Sequence, residues 1–419
     1  MFEHTFKWNE KWRIMKNVGV ITMAFMLHFT AYAGTSNLQS SINAEAGLGT
    51  ASLAAVYAGV VLSNIFLPAA VIKWLGTKWA VCLSLITYMP FIACQIYPSF
   101  YTLVPAGLLL GLGAGPLWCA KCTYLSLYAE THSSLFQIPA GILLQRFLGF
   151  FFMILQMSQI FGNLISSVVL STGNTASVTS INASMIPQIC GANFLPDADA
   201  AKALPTQPTE KIFMITSVYL ACMAGAALIV ACFLDSQKSN ESCRKGASTK
   251  LSGFALLAVT LKHLKEPNQL LILTINVYNG LNLAFFGADF TASFVSCAVG
   301  TGFVGYVMML FGLSNAVCCF MTGYLIKLFG RLPLMLSAML VHGGIYLTML
   351  LWQPHAGDYY KMFIISALWG FCDSVWTVQI NAYYGVLFCG KEEAAFANFR
   401  LWEACGFTTR VADYSSVLT

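Results

Sequence analysis

Charge is what this sequence has least of. Asp, Glu, Lys and Arg together make up 9% of its 419 residues, against roughly 25% in soluble globular chains. A water-soluble domain is excluded, because so few charged side chains could not cover its surface. The long apolar runs lack period-2 alternation, which argues against membrane barrel strands and leaves helices. Also lacking are a Ser-His-Asp arrangement, a metal-ligand spacing and a strand-led phosphate loop, so the residues offer no catalytic centre, cofactor or metal site. The net charge of +5 does not mark a nucleic-acid binder, since the basic residues flank apolar runs. The 14 cysteines fall mostly inside apolar segments and read as small core residues, not as a disulfide framework. Cys190 and Cys297 fall on the same side of the reading below and could bridge.

What is present is hydrocarbon. Hydrophobic residues make up 58% of the chain, and the pattern is that of an all-α, multi-pass membrane protein. Eleven spans are expected, at about 17–38, 52–72, 79–97, 100–128, 140–170, 211–234, 269–294, 302–326, 333–352, 362–388 and 394–411. The fourth and fifth exceed the ~20 residues a span needs, so they should tilt or protrude. Pro139 is placed to begin the fifth. Orientation follows from Lys and Arg placement. With the N-terminus cytosolic, sixteen basic residues fall on the cytosolic side and three, Lys202, Lys211 and Lys361, on the outer side. The outer loop 171–210 carries a glycosylation sequon at Asn182, and the cytosolic loop carries a second, expected to be silent, at Asn240. A plasma-membrane or endomembrane location is expected.

Polar residues inside the spans are the candidates for function. Ala367–Gly406 is apolar enough to be a helical hairpin in a membrane, yet it contains Asp373, Gln379 and Asn381. A carboxylate in hydrocarbon costs at least ~2.5 kcal/mol, so such a group faces the bundle interior or a hydrated cavity. Arg400 and Glu403 follow at i, i+3 and could pair. Gly107, Gly111 and Gly115 recur every four residues and read as a small-residue face for close helix packing. Asn276, Asn279 and Asn282 nearly share a helix face and read as interhelical hydrogen-bond formers. Trp118 and Trp376 read as packing residues.

The chain also repeats itself. Ala69-Ala-Val-Ile-Lys73-Trp-Leu-Gly76 is echoed by Gly323-Tyr-Leu-Ile-Lys327-Leu-Phe-Gly330, 254 residues later. Trp118-Cys-Ala-Lys121 is echoed by Trp376-Thr-Val-Gln379. Two halves, 1–234 and 268–419, joined by a basic linker at 235–267, are the layout of parallel-repeat transporters. The repeated loop resembles the signature of the major facilitator superfamily, without its acidic residue.

Within that superfamily the motifs Phe29-Thr-Ala-Tyr-Ala-Gly34, Leu38-Gln-Ser-Ser41, Gly47-Leu-Gly49, Leu112-Gly-Ala-Gly-Pro-Leu-Trp118 and Lys391-Glu-Glu-Ala-Ala-Phe-Ala-Asn-Phe-Arg-Leu-Trp-Glu403 resemble the uncoordinated-ninety-three-like family over about residues 17–407. The chain departs from the family pattern between His132 and Gln145 and again after Phe407. The eleventh helix is expected from about Ala394 to Gly406 and then to lose order, and a twelfth span is not read. The resemblance implies a major-facilitator-like bundle whose spans one, four, seven and ten line a central cavity. Each of those spans carries an ionisable group here: His28, Lys121, Asp289 and Asp373. Lys121 and Asp289 lie about 12 Å to either side of mid-span, too far apart to pair, and each could instead reach an interface. A lone His28 also fits a hydrogen-bonded core residue. The resemblance further implies a non-enzymatic regulator or escort of another membrane protein, such as a potassium channel. The alternative is a secondary transporter of a small solute or ion.

Overall fold

The computed structural model describes residues 2–42, 48–171, 190–193, 209–236, 262–299, 302–355, 357–388 and 391–417. The sequons at Asn182 and Asn240 lie outside these residues. Among the described residues the secondary structure is helical throughout, with no strand. In chain order the helices are α1 (Phe2–Ile42), α2 (Leu48–Ile86), α3 (Met89–Ala93), α4 (Phe100–Phe136), α5 (Ala140–Ser171) and α6 (Thr209–Phe233). They continue as α7 (Pro267–Ala284), α8 (Cys297–Val299), α9 (Gly302–Phe329), α10 (Arg331–Leu351), α11 (Tyr359–Leu387) and α12 (Glu392–Val417). Helices are the expected answer, because hydrocarbon leaves every backbone N–H and C=O to be satisfied within its own segment. Nine stretches among the described residues are long and apolar enough to cross a bilayer. One of them, Ala51–Ile96, runs through the second and third expected spans.

Local chemistry sets the ends. Ser99 and Thr102 form a capping box at the start of α4. Gln137 closes it in the left-handed conformation, its N–H bonded to the Ser133 carbonyl at 2.8 Å. The Ile142 N–H then bonds back to Pro139, which opens α5. With 37 and 32 residues, α4 and α5 are about 55 and 48 Å long at 1.5 Å per residue, well beyond the ~30 Å of hydrocarbon. Side chains such as Leu328, Leu340 and Leu351, each over 70% exposed, belong to the lipid-facing surface.

Helix pairs approach closely where glycine removes the Cβ. Gly34 meets Gly162 where α1 crosses α5, and Gly280 meets Gly406 where α7 crosses α12. Gly59 and Gly111 do the same for α2 and α4, while Gly370 of α11 lies against the Phe311 carbonyl of α9. Gly107 sits on the Ser52 carbonyl and Gly115 on the Ser63 hydroxyl, so the glycines spaced by four do face α2. Lipid offers little hydrophobic drive between helices, so such close van der Waals contact carries the association.

The repeated loop repeats in conformation as well. Gly76 has φ 72 and ψ 167, and Gly330 has φ 85 and ψ 170. This region is open essentially to glycine alone. At Gly76 it bends α2 between the second and third expected spans; at Gly330 it separates α9 from α10.

Three features differ from the sequence expectation, and one alternative left open there is realised. The eleventh helix does not end near Gly406: α12 continues to Val417. Residues 407–417 contain neither Gly nor Pro, and the Thr408 hydroxyl bonds back to the Ala404 and Cys405 carbonyls. Span seven is not a plain α-helix, since α7 runs on into a π-helical segment, Phe285–Ser296. Cys190 and Cys297, which the sequence left able to bridge, do form a disulfide, while ten other cysteines among the described residues are not disulfide-bonded. That bridge ties the Cys190–Asn193 turn to the end of the π-helical segment, over a cluster containing Phe286, Phe290, Phe294, Met362 and Trp369. Lastly, His28 has no hydrogen-bond partner among the described residues.

The glycine conformation generates a test. Gly330→Ala should destabilise the protein by about 1–3 kcal/mol, since alanine is strained there. Gly343, inside α10 with open space within 4 Å of where a Cβ would sit, should instead tolerate alanine or gain up to about 1 kcal/mol. Thermal unfolding of the two purified variants in detergent measures both, and equal midpoints would contradict the assignment.

Candidate functional site

A cavity of about 270 Å³ lies between α1, α2, α4 and α5 on one side and α7, α11 and α12 on the other. Aromatic rings form much of its wall, among them Phe29, Tyr32, Tyr57, Tyr88 and Trp118. Into this apolar box the chain turns a small set of polar side chains: Asn64, Gln156, Asp373, Asn381, Arg400 and Glu403.

The polar groups that matter most are held by specific partners. Asp373, 1% exposed, accepts a hydrogen bond at Oδ2 from Asn315 Nδ2 of α9. Its Oδ1 is buried without a partner among the described residues. Arg400 Nη1 pairs with Glu403 Oε2 one turn along α12, as the i, i+3 spacing suggested. Glu403 Oε1 accepts from Asn279 Nδ2 of α7 at 2.8 Å, so both carboxylate oxygens are engaged. The Arg400 guanidinium also lies 4.4 Å from the Trp118 ring centre and 4.5 Å from that of Phe399. Asn64, fully buried, donates to the Val60 carbonyl at 2.9 Å, which leaves its Oδ1 without a partner among the described residues. Asn381 donates to the Thr377 carbonyl and accepts from the Cys122 thiol at 3.2 Å.

The four ionisable residues expected in the cavity are not brought together. Of the four, only Asp373 lines it. Lys121 is 0% exposed and does not reach an interface. Its ammonium sits 5.0, 4.4 and 4.7 Å from the rings of Trp118, Phe151 and Phe152, with no hydrogen-bond partner among the described residues. Cation–π attraction replaces hydration there. His28 packs edge-on against Tyr88, ring centres 4.7 Å apart, behind the cavity wall. Asp289 is buried in the π-helical segment, outside the cavity lining. Gln379 also lies outside it and accepts at 3.2 Å from Gln145 of α5. The asparagines of α7 do make interhelical bonds: Asn276 to the Tyr384 hydroxyl, Asn279 to Glu403 and Asn282 with Tyr346. Trp118 is more than packing, because two cations share its ring. The sequence pattern does not single out Asn64 and Asn315, although each is an amide inside an apolar run.

At the ends of the bundle the charges are ordinary. Lys16 and Asn17 of α1 both bond Asp235, just beyond α6, at 2.8 Å. Burial alone would raise the Asp235 carboxyl, but these hydrogen bonds and the nearby Arg13 hold it below the usual carboxylate range. Lys391 pairs with Glu266 at 2.6 Å, fixing the start of α12 against that of α7.

Comparison with known proteins agrees with this architecture. A family model described as "Ion channel regulatory protein UNC-93" matches residues 39–419. Protein unc-93 homolog A of Xenopus laevis is 38% identical over 403 residues, covering 94% of this chain and 85% of that protein. The Homo sapiens protein of the same name is 37% identical over 396 residues, covering 94% and 86%. The putative potassium channel regulatory protein unc-93 of Caenorhabditis elegans is 32% identical over 403 residues, 94% of this chain and 56% of that longer one. Among solved structures, the human organic anion transporter MFSD10 superposes with a TM-score of 0.63 at 14% identity, covering 96% and 94%. The E. coli fucose:proton symporter FucP gives 0.59 at 12%, covering 95% and 91%. At such identity these two establish the fold and nothing further: a major-facilitator bundle.

The Arg400–Glu403–Asn279 knot can be tested by paired substitution. Arg400→Met strands a buried carboxylate and should cost about 3–5 kcal/mol, whereas Arg400→Met with Glu403→Met should cost clearly less. Thermal midpoints of the purified variants decide. A double variant whose loss equals the sum of the two single losses would mean that the two groups act independently.

Proposed function

The chain belongs to the UNC-93 family of ion channel regulatory proteins, and we propose that it regulates or escorts another membrane protein, a potassium channel being the leading partner. The observation that carries this reading is the family match over residues 39–419, together with the channel-regulatory name of the Caenorhabditis elegans relative. The geometry favours it over the transporter alternative. An ion-coupled carrier needs titratable groups that exchange partners, yet Arg400, Glu403 and Lys121 are each committed to protein neighbours. Among the described residues, Asp373 remains the single lining carboxylate with an unpaired oxygen. We read the protein as non-enzymatic, built from halves 1–234 and 268–419 around the linker 235–267. The test is affinity capture from native membranes, followed by current recording with the captured channel. A potassium channel should co-purify, its current should change on co-expression, and Asp373→Asn should leave co-assembly intact. Gradient-driven solute uptake into liposomes, abolished by Asp373→Asn and without any channel effect, would establish the transporter instead.

We further propose a cytosolic N-terminus in the plasma membrane or an endomembrane. The basic bias of sixteen against three supports it. The Cys190–Cys297 bridge supports it independently, since disulfides persist on the oxidising, non-cytosolic face. Asn182→Gln should therefore abolish a glycosidase-sensitive gel shift while Asn240→Gln leaves it unchanged. The opposite pattern would reverse the orientation.

A further inference from the structure

We propose that the central cavity is a binding site for a small organic cation, a primary ammonium on a compact apolar body. Such a site goes beyond channel regulation and does not depend on it.

The polar atoms of the lining divide into those already used and those left over. Glu403 has both oxygens occupied, by Arg400 and Asn279. Asn381 has both ends of its amide occupied. Asp373 has Oδ2 on Asn315 and its Oδ1 without a partner among the described residues, with the Thr377 hydroxyl beside the carboxylate, and Asn64 has its amide nitrogen on Val60 and its Oδ1 without a partner among the described residues. Both side chains are at least nine-tenths buried, and both line the cavity from opposite walls, α2 and α11. Two buried acceptors without donors call for a ligand that brings N–H groups, because an unmatched buried acceptor is unfavourable.

Charge gives the ligand its sign. The acidic and basic side chains of the lining are Asp373, Glu403 and Arg400. Arg400 is spent on Glu403 and on two ring faces, so one carboxylate is left over. Lys121 is outside the lining, its ammonium against Trp118, Phe151 and Phe152, so it offers no donor to the cavity. One lining donor, Arg400 Nε, is also without a partner among the described residues. It lies on the already neutralised guanidinium and does not reverse the sign. The walls suit the same ligand, because the rings of Phe29, Tyr32, Tyr57 and Tyr88 present faces that attract a cation and pack on an apolar body. A volume of about 270 Å³ restricts that body to roughly one ring or a short alkyl chain.

A charge series on the unmodified full-length protein tests this without relying on any variant. The probes are 2-phenylethylammonium, its neutral analogue 2-phenylethanol and its anionic analogue 3-phenylpropanoate, titrated by thermal shift in lipid nanodiscs. Only the ammonium should stabilise the protein in a saturable way. Asp373→Asn, which keeps the shape and the Asn315 contact, should weaken it about tenfold or more. Asn64→Leu should weaken it by a smaller factor. Equal or tighter binding of the alcohol or the carboxylate, no saturable shift by the ammonium, or an ammonium affinity untouched by Asp373→Asn would each overturn the proposal.

Discussion

Hydrocarbon supplies no hydrogen bonds, and the interior of this bundle is arranged around that fact. Its buried charges are handled by three different chemistries. Arg400 and Glu403 neutralise each other and take an amide from α7 as well. Asp373 takes an amide from α9. Lys121 has no polar partner among the described residues and lies among three ring faces. Magnitudes make the last solution reasonable. A desolvated cation gains about 0.5–2 kcal/mol from each ring, and a lysine at the centre of a span costs about 2.5–3.5 kcal/mol on insertion scales. Three faces therefore offset the cost to within its own uncertainty, where one would not.

The same solvent explains why glycine marks the crossings. Helices gain little by hiding from lipid, so they are held where backbones touch. The crossings recur in matched pairs: α1 with α5 and α7 with α12, then α2 with α4 and α9 with α11. The loop glycines Gly76 and Gly330 share one rare backbone conformation. Sequence repetition, close approach and backbone geometry thus describe a single architectural repeat, that of the major-facilitator bundle with which the solved neighbours superpose.

Much of this is legible in the sequence, and the gaps have physical causes. Low charge and long apolar runs announce the helices. Asp373 stands out because an ionised group in such a run is expensive. Asn64 and Asn315 do not stand out, because an amide costs far less and is often satisfied within its own helix. The Lys121 cage is not readable, since Phe151 and Phe152 come from another helix and look like ordinary core residues. The disulfide joins residues 107 positions apart, and helical periodicity says nothing about such a distance. Polar residues after Phe407 suggest an early stop to α12, yet nothing in Thr408–Val417 forbids a helix, and the helix continues.

The distribution of bond strengths also bears on what can move. The contacts between α11 and the helices α4 and α5 are neutral: Cys122 with Asn381, and Gln145 with Gln379. Each is worth about 1 kcal/mol net and can exchange for water or a neighbour. The contact between α7 and α12 is a hydrogen bond from Asn279 to the Glu403 carboxylate, which α12 itself pairs with Arg400, and a hydrogen bond to a charged group is worth about 1.5–3 kcal/mol. Any rearrangement of the bundle should therefore carry α7 and α12 together and open along α11. Asp373 sits on that same helix, facing the cavity. Whatever occupies the cavity at Asp373 therefore touches the helix with the most exchangeable contacts.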